Sequence, residues 1–205
     1  MPPRSRRQQA SFKLSIRWTY ALVGVVVLAA LGGGGFLTAA HMEDNDAFCS
    51  SCHTEPETTF VGRAQAGNPS DLASFHTTAD TPTKCIDCHS GVGVSGRAAA
   101  MTLGAFDLVA YLSGKAEQPA PLKNPISDAN CIKCHQDVPA TRSFDRHFHK
   151  FLAQWQTMDP KNAATCVSCH TGHVTDGDPA LGFLNEAHTV AVCQRCHTAA
   201  GEDVH

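Results

Sequence analysis

The chain has few aromatic side chains, 7% of its 205 residues, and its formal net charge is only -3. Without an excess of basic residues, nucleic acid is not an expected partner. Beyond residue 40 the sequence also lacks long apolar runs, so protein side chains alone would form a thin hydrophobic core for a chain of this length. We therefore expect another apolar group to contribute buried volume.

No cysteine is left over from one repeated short motif. All ten cysteines belong to five copies of Cys-x-x-Cys-His, called motifs 1 to 5 in chain order. The motif residues are Cys49, Cys52 and His53; Cys85, Cys88 and His89; Cys131, Cys134 and His135; Cys166, Cys169 and His170; and Cys193, Cys196 and His197. This spacing is the attachment signal for c-type haem, in which both thiols bond the porphyrin and the histidine ligates the iron.

Two other uses of paired cysteines fit this sequence less well. A structural zinc site takes two Cys-x-x-Cys pairs at a time, and five pairs do not divide that way. Redox motifs of the thioredoxin type need no histidine directly after the second cysteine. The sequence therefore predicts five covalently bound haem c groups, each with its motif histidine as proximal iron ligand.

Of the twelve histidines, seven lie outside the motifs and are candidates for the opposite, distal side of the irons. We expect the distal ligands to be His76, His147, His149, His173 and His188. Read as part of a helix, His147 and His149 point to opposite sides, so one helix would serve two haems. At the first haem the alternatives are Met42, His41 or no protein ligand, and His205 is set aside as a terminal residue.

The N-terminal part has the composition of a membrane anchor. Residues 1–17 carry basic but no acidic side chains, and residues 18–40 carry no charge. As a helix, the latter span roughly 34 Å, enough to cross a hydrocarbon core of about 30 Å. The charge bias predicts a single-pass protein of the cytoplasmic membrane, with its N-terminus inside and residues 41–205 as an exported, periplasmic haem domain. The alternative is a cleaved signal peptide.

We predict a mostly α-helical protein with extensive irregular structure, in which one membrane helix precedes a compact multihaem cytochrome c domain. Residues 54–84 contain several glycines and prolines and are expected to form loops with short helical turns. Residues 115–130, which contain three prolines, are expected to be a linker. This linker would divide the haem domain into halves at 41–114 and 126–205.

Residues 97–114 have the apolar pattern of a helix. The simpler interpretation is a core helix packed on porphyrin. The alternative is a helix at the bilayer surface that helps to form a quinol pocket, with Arg97 and Asp107 as the candidate quinol-site residues. Asp107 is the better proton acceptor of the two.

The basic N-terminus, the single membrane helix and Phe48-Cys49-Ser-Ser-Cys52-His53 soon after it resemble the NapC/NirT/NrfH family of membrane-anchored multihaem quinol dehydrogenases. The resemblance is best over residues 13–112. It implies oxidation of menaquinol or ubiquinol beside the first haem and transfer of electrons to a soluble or membrane-attached reductase. The chain departs from that family's usual four haems by carrying five motifs. In this respect it also resembles the pentahaem subunit of alternative complex III, which implies a quinol-oxidising complex as donor and a small cytochrome as acceptor.

Three functions are compatible with these features. The favoured one is a membrane-anchored pentahaem cytochrome of a respiratory chain, relaying electrons from the quinol pool or a quinol-oxidising complex to an extracytoplasmic acceptor protein. The second is a relay subunit of a larger respiratory or photosynthetic complex, with no quinol site of its own. The third, a reductase of a small nitrogen or sulfur oxyanion, is less favoured because the histidines suffice to fill the distal positions. No catalytic side chain is predicted, and quinol dehydrogenase activity is left open.

Overall fold

The structure is a computed structural model that describes residues 16–80, 82–140 and 147–201. It is mostly helical, and the described residues contain isolated β-bridges but no β-strand. The predicted fold class is therefore confirmed. The basic N-terminal segment lies outside the described residues, apart from Ile16 and Arg17, and so does His205.

The first helix, α1 (Ile16–Met42), belongs to a structural unit of its own, which ends at Met42. None of its residues is buried, and it is long and apolar enough to cross a membrane. Apolar side chains without protein partners are more stable in a bilayer than in water. The helix extends two residues beyond each end of the predicted span, 18–40.

The second unit begins at Glu43. Its helices are α2 (Glu57–Gln65), α3 (Leu72–Thr78), α4 (Cys85–His89), α5 (Gly93–Leu112), α6 (Asp128–Ile132), α7 (His147–Met158), α8 (Cys166–Cys169) and α9 (Glu186–Ala199), with 3-10 helices at Asp46–Ser51 and Pro179–Leu181. The first cysteine of every motif lies in one of these helices. The division into halves at the linker stays a prediction.

The region between motifs 1 and 2 is more helical than predicted. At the start of α3 a capping box joins Asp71 and Ser74, each side chain accepting the backbone N–H of the other residue. Gly62 lies within α2 but does not end it. Packing of α2 against α3 and the first 3-10 helix offsets the low helix propensity of glycine.

The helix predicted to begin at Arg97 begins earlier, at Gly93, and ends at Leu112. The turn before it requires glycine, because Gly91 has a φ of 75° and a Cβ there would lie 2.6 Å from the carbonyl oxygen of Gly96. Met101 of α5 is buried, whereas the apolar side chains near its end are exposed. The helix thus has both a packed and an open surface.

Few apolar side chains are buried in the part of the chain that the structure describes. The buried ones are Val61, Met101, Trp155, Ala164, Phe183 and Val192. Trp155, Ala164 and Val192 form a cluster against which Cys169 and Cys196 also pack. So small a core agrees with the low aromatic content and leaves large apolar groups room to pack against the partly exposed side chains.

Candidate haem-binding sites

The motif cysteines are open to attachment and are not arranged as zinc ligands. All ten are partly or fully exposed, and none forms a disulfide. Burial and then the charge of Asp46 raise the pKa of the Cys85 thiol to about 12. Among the described residues, no three Cys, His, Asp or Glu side chains converge as a metal site.

Four histidines from outside the motifs each face a motif histidine. The distances between ring centroids are 6.0 Å for His76 and His135, 6.3 Å for His89 and His173, 6.2 Å for His147 and His197, and 6.2 Å for His149 and His170. Two imidazoles that ligate one metal ion from opposite sides, with bonds of about 2 Å, have centroids roughly 6 Å apart. Each pair therefore has the spacing that an iron between the rings requires.

Backbone carbonyl groups orient two of these imidazoles. Nδ1 of His76 lies 2.8 Å from the carbonyl oxygen of Leu72, and Nδ1 of His170 lies 2.8 Å from that of Gly182. Because a carbonyl oxygen can only accept, Nδ1 is the protonated nitrogen in each ring. Nε2 is then unprotonated and available as a metal ligand, which is the usual arrangement for a ligating histidine.

His173 is held in place from α2. Its ring stacks on that of Phe60 with centroids 4.0 Å apart and planes 6° from parallel. Nη1 of Arg63 donates a hydrogen bond to the His173 carbonyl oxygen at 3.0 Å. Burial lowers the pKa of His173 and of His89 opposite it, so both rings are in the neutral form that binds metals.

Helix α7 carries the facing imidazoles for two motifs. His147 faces motif 5 and His149 faces motif 4, so the two rings point to different sites, as their spacing predicts. Trp155, further along the helix, belongs to the cluster against which the second cysteines of both motifs pack. One helix thus carries facing imidazoles for both C-terminal motifs.

Motif 1 is the exception among the described residues. His53 has no imidazole facing it there, and His188 is exposed and likewise faces no imidazole. The assignment of His188 as a distal ligand stays a prediction, as do those of His41 and Met42, which belong to α1.

The candidate quinol-site residues do not share one site. Arg97 forms an ion pair with Glu43, and Nζ of Lys123 lies 2.7 Å from Oδ1 of Asp107. Ten residues of helix separate Arg97 from Asp107, a rise of about 15 Å. A cavity of about 240 Å³ lies beside motif 2, lined by residues from the start of α5 and from positions 124–130. Neither Arg97 nor Asp107 lines this cavity.

The angles between the facing rings predict two electronic classes of iron. The ring planes differ by 12° and 11° opposite motifs 2 and 4, but by 87° and 84° opposite motifs 3 and 5. Axial imidazoles with perpendicular planes give ferric low-spin iron a more anisotropic electron paramagnetic resonance signal than parallel ones. We expect the oxidised protein to show both signals in equal amounts from these four sites. A spectrum with a single low-spin class would contradict these angles.

Comparison with known proteins gives two matches. Residues 115–198 match the family model described as cytochrome c7 and related cytochrome c. The chain is also 24% identical over 196 residues to the cytochrome c-type protein TorY of Escherichia coli O157:H7, an alignment that covers 90% of this chain but only 44% of that protein. No solved structure matches.

These comparisons agree with the chemistry of the motifs. The cytochrome c7-type match includes motifs 3 to 5, and the alignment with the relative extends over nearly the whole chain. The c-type family implies covalently bound haem c and a role in electron transport. The apolar helix α1 and the relative together suggest a single-pass membrane protein. The five motifs and the two matches support a multihaem cytochrome c.

Proposed function

We propose that the chain is a membrane-anchored electron relay with five haem c groups, taking electrons from quinol or a quinol-oxidising complex and passing them to an extracytoplasmic protein. The observation that carries this proposal is the set of four facing imidazole pairs. Each pair joins a motif histidine to a histidine from elsewhere in the chain, at the separation that axial ligands require.

The residues of each motif have distinct roles in this proposal. The two cysteines would hold the porphyrin, the motif histidine would be the proximal ligand and the facing histidine the distal ligand. Haem c, once attached, supplies an iron that changes between the ferric and ferrous states. With one histidine on each side of the iron at four sites, no position would remain there for a small substrate. This favours a relay over an oxyanion reductase.

The donor side of the proposal rests on the position of motif 1 and on Asp107. Motif 1 begins seven residues after α1 ends, so its attachment site lies near the end of the proposed membrane span in the sequence. Oxidation of a quinol releases protons, and the partly exposed Asp107 carboxylate is a candidate acceptor. Oδ1 of Asp107 lies 2.7 Å from Nζ of Lys123.

One observation favours the alternative, in which the chain has no quinol site and relays electrons between other subunits. Both charged candidates are already engaged within the chain, Arg97 with Glu43 and Asp107 with Lys123. A quinol headgroup would have to compete with these ion pairs. The two functions therefore differ in whether the isolated chain accepts electrons from a quinol.

The test is reduction of the purified full chain, in lipid vesicles, by a menaquinol analogue. We expect intact mass to show five haems and the analogue to reduce them, and we expect Asp107→Asn to slow reduction because its side chain no longer accepts a proton. Asp80→Asn, which alters another exposed carboxylate, is the matched control and should reduce at the normal rate.

Three outcomes of this test would count against the proposal in different ways. A mass equal to that of the bare polypeptide would end it altogether. An intact haem protein that the analogue does not reduce would leave the relay-subunit alternative. Equal slowing by Asp107→Asn and Asp80→Asn would remove Asp107 as the proton acceptor while leaving the relay in place.

A further inference from the structure

Side chains that lie beside the motifs join successive motifs in sequence order. We infer from these contacts that the haem sites form one linear relay from motif 1 to motif 5, with Asp46, Asn130, Asp128 and Trp155 as the positioning residues at its four junctions. The inference rests on the proposed electron relay and adds the order of its sites.

Motifs 1 and 2 are joined in the same way as motifs 3 and 4. Asp46 lies three residues before Cys49, and its Oδ1 accepts the backbone N–H of Cys85 at 2.9 Å. Asp128 lies three residues before Cys131, and its Oδ1 accepts the backbone N–H of Cys166 at 2.7 Å. In both pairs a carboxylate ahead of the earlier motif caps the first turn of the later one. The chain therefore contains two copies of one two-motif arrangement.

The two copies are joined at motifs 2 and 3. Nδ2 of Asn130 donates to the carbonyl oxygen of Cys88 at 2.8 Å, and Nζ of Lys133 donates to the carbonyl oxygen of Asp87. Asn130 is buried, so its amide would be costly to leave without this partner. The contact fixes the end of motif 2 beside the start of motif 3.

The last junction is the cluster around Trp155, which is 6% exposed. Cys169 of motif 4 and Cys196 of motif 5 both pack against this cluster. The indole nitrogen is buried and has no hydrogen-bond partner among the described residues.

Two ring contacts cross the order. His173, three residues after motif 4, faces His89 of motif 2, and His76, between motifs 1 and 2, faces His135 of motif 3. The two kinds of contact have different meanings. Motif cysteines bond to the edge of a porphyrin, whereas an axial histidine lies above its centre. Contacts that join successive motifs would therefore bring porphyrin edges close together, and electrons pass between edges. A direct path from motif 2 to motif 4 is the rival arrangement.

The order is testable because the chain has no cysteine outside the motifs. Ala200→Cys adds a single thiol just after motif 5, to which a ruthenium photosensitiser can be attached. With a sacrificial amine as reductant, each flash oxidises one amine and delivers one electron to the nearest haem. The rise in ferrous absorbance over repeated flashes then shows how many haems are reduced rapidly.

Removing motif 3 by Cys131→Ala with Cys134→Ala separates a linear relay from a bypassed one. We expect rapid reduction of only the two haems of motifs 4 and 5, and loss of rapid reduction at the haems of motifs 1 and 2. Removing motif 1 by Cys49→Ala with Cys52→Ala is the matched control, and all four remaining haems should fill. Rapid filling of all four haems without motif 3 would overturn the order.

If loss of motif 3 prevents folding, milder variants still test the order of the sites. Asp128→Ala retains every motif but removes the cap on motif 4, so reduction of the haems should become biphasic, with a slow phase after the first two. Asp46→Ala should delay only the reduction of the haem of motif 1. Asp159→Ala, at a carboxylate that bonds Asn162 away from the motifs, should have no effect. Normal filling in both Asp46 and Asp128 variants would contradict the positioning roles. If the menaquinol analogue does not reduce the chain but flashes fill the haems in the expected numbers, the proposed quinol donor is refuted and the order of the sites stands.

Discussion

Replacement of His149 by methionine should raise the reduction potential of one haem while leaving the others unchanged. The His149 ring stands 6.2 Å from that of His170, in nearly parallel planes, where a distal ligand of motif 4 belongs. A methionine ligand stabilises ferrous iron relative to a second histidine, and axial ligands set haem potentials over a range of about 0.8 V. A redox titration should show one centre displaced upward, together with the ferric His/Met absorption band at about 695 nm.

The matched control is His188→Met. His188 is an exposed histidine at the start of α9 and faces no imidazole among the described residues, so its replacement should produce neither a new band nor a displaced centre. This control also examines the sequence-based prediction that His188 is a distal ligand. A new band in His188→Met, or none in His149→Met, would reverse the assignment of these two residues.

Among the partly exposed charged side chains that form ion pairs, Arg63 should cause the largest loss of stability when it is replaced by alanine. Nη1 of Arg63 lies 3.1 Å from Oδ2 of Asp71, whose side chain is 1% exposed, and it also donates to the His173 carbonyl oxygen. Without Arg63 a buried carboxylate loses its partner. Because Arg63 is itself partly exposed, we expect a loss of about 2–3 kcal/mol in the free energy of unfolding, measured by circular dichroism in guanidinium chloride.

The control for Arg63→Ala is Lys84→Ala, which removes an ion pair with Asp44 whose two side chains are 47% and 58% exposed. Exposed pairs contribute about 0–1 kcal/mol, so this variant should unfold close to the wild type. Equal destabilisation of the two variants would show that burial of Asp71 does not decide the effect.

The effect of Arg63→Ala should also depend on pH. Burial alone would raise the pKa of Asp71, but hydrogen bonds from Ser74 and Arg63 outweigh it, and the pKa is lowered. A carboxylate with a lowered pKa stabilises the folded state above its unfolded pKa, and this stabilisation is lost as the pH falls through the folded value. The difference between variant and wild type should therefore shrink in acid.

The local chemistry of the sites could be predicted from sequence because it depends on short spacings. The Cys-x-x-Cys-His pattern predicts the attachment residues and proximal ligands, and the two-residue step from His147 to His149 predicts that one helix reaches two sites. Which motif each distal histidine faces could not be predicted. His76 precedes motif 2 in the sequence but faces motif 3, and His173 follows motif 4 but faces motif 2.

The errors in helix prediction have a common physical cause. Residues 54–84 contain glycine and proline, which lower helix propensity, yet α2 and α3 form because they pack on each other and because Asp71 and Ser74 cap α3. The predicted start of α5 was late because its first residues include glycines. Tertiary packing and capping decided the first case, and neither is visible in composition.

The six buried apolar side chains bear on how the protein is made. They are too few and too dispersed to hold residues 43–201 together on their own, since ordering each residue costs about 1–2 kcal/mol of backbone entropy. The newly synthesised polypeptide should then remain extended until its thiols have reacted, which leaves every Cys-x-x-Cys-His accessible to the maturation enzymes. Covalent assembly precedes folding, and a cell that cannot perform it should degrade the chain rather than accumulate an empty form.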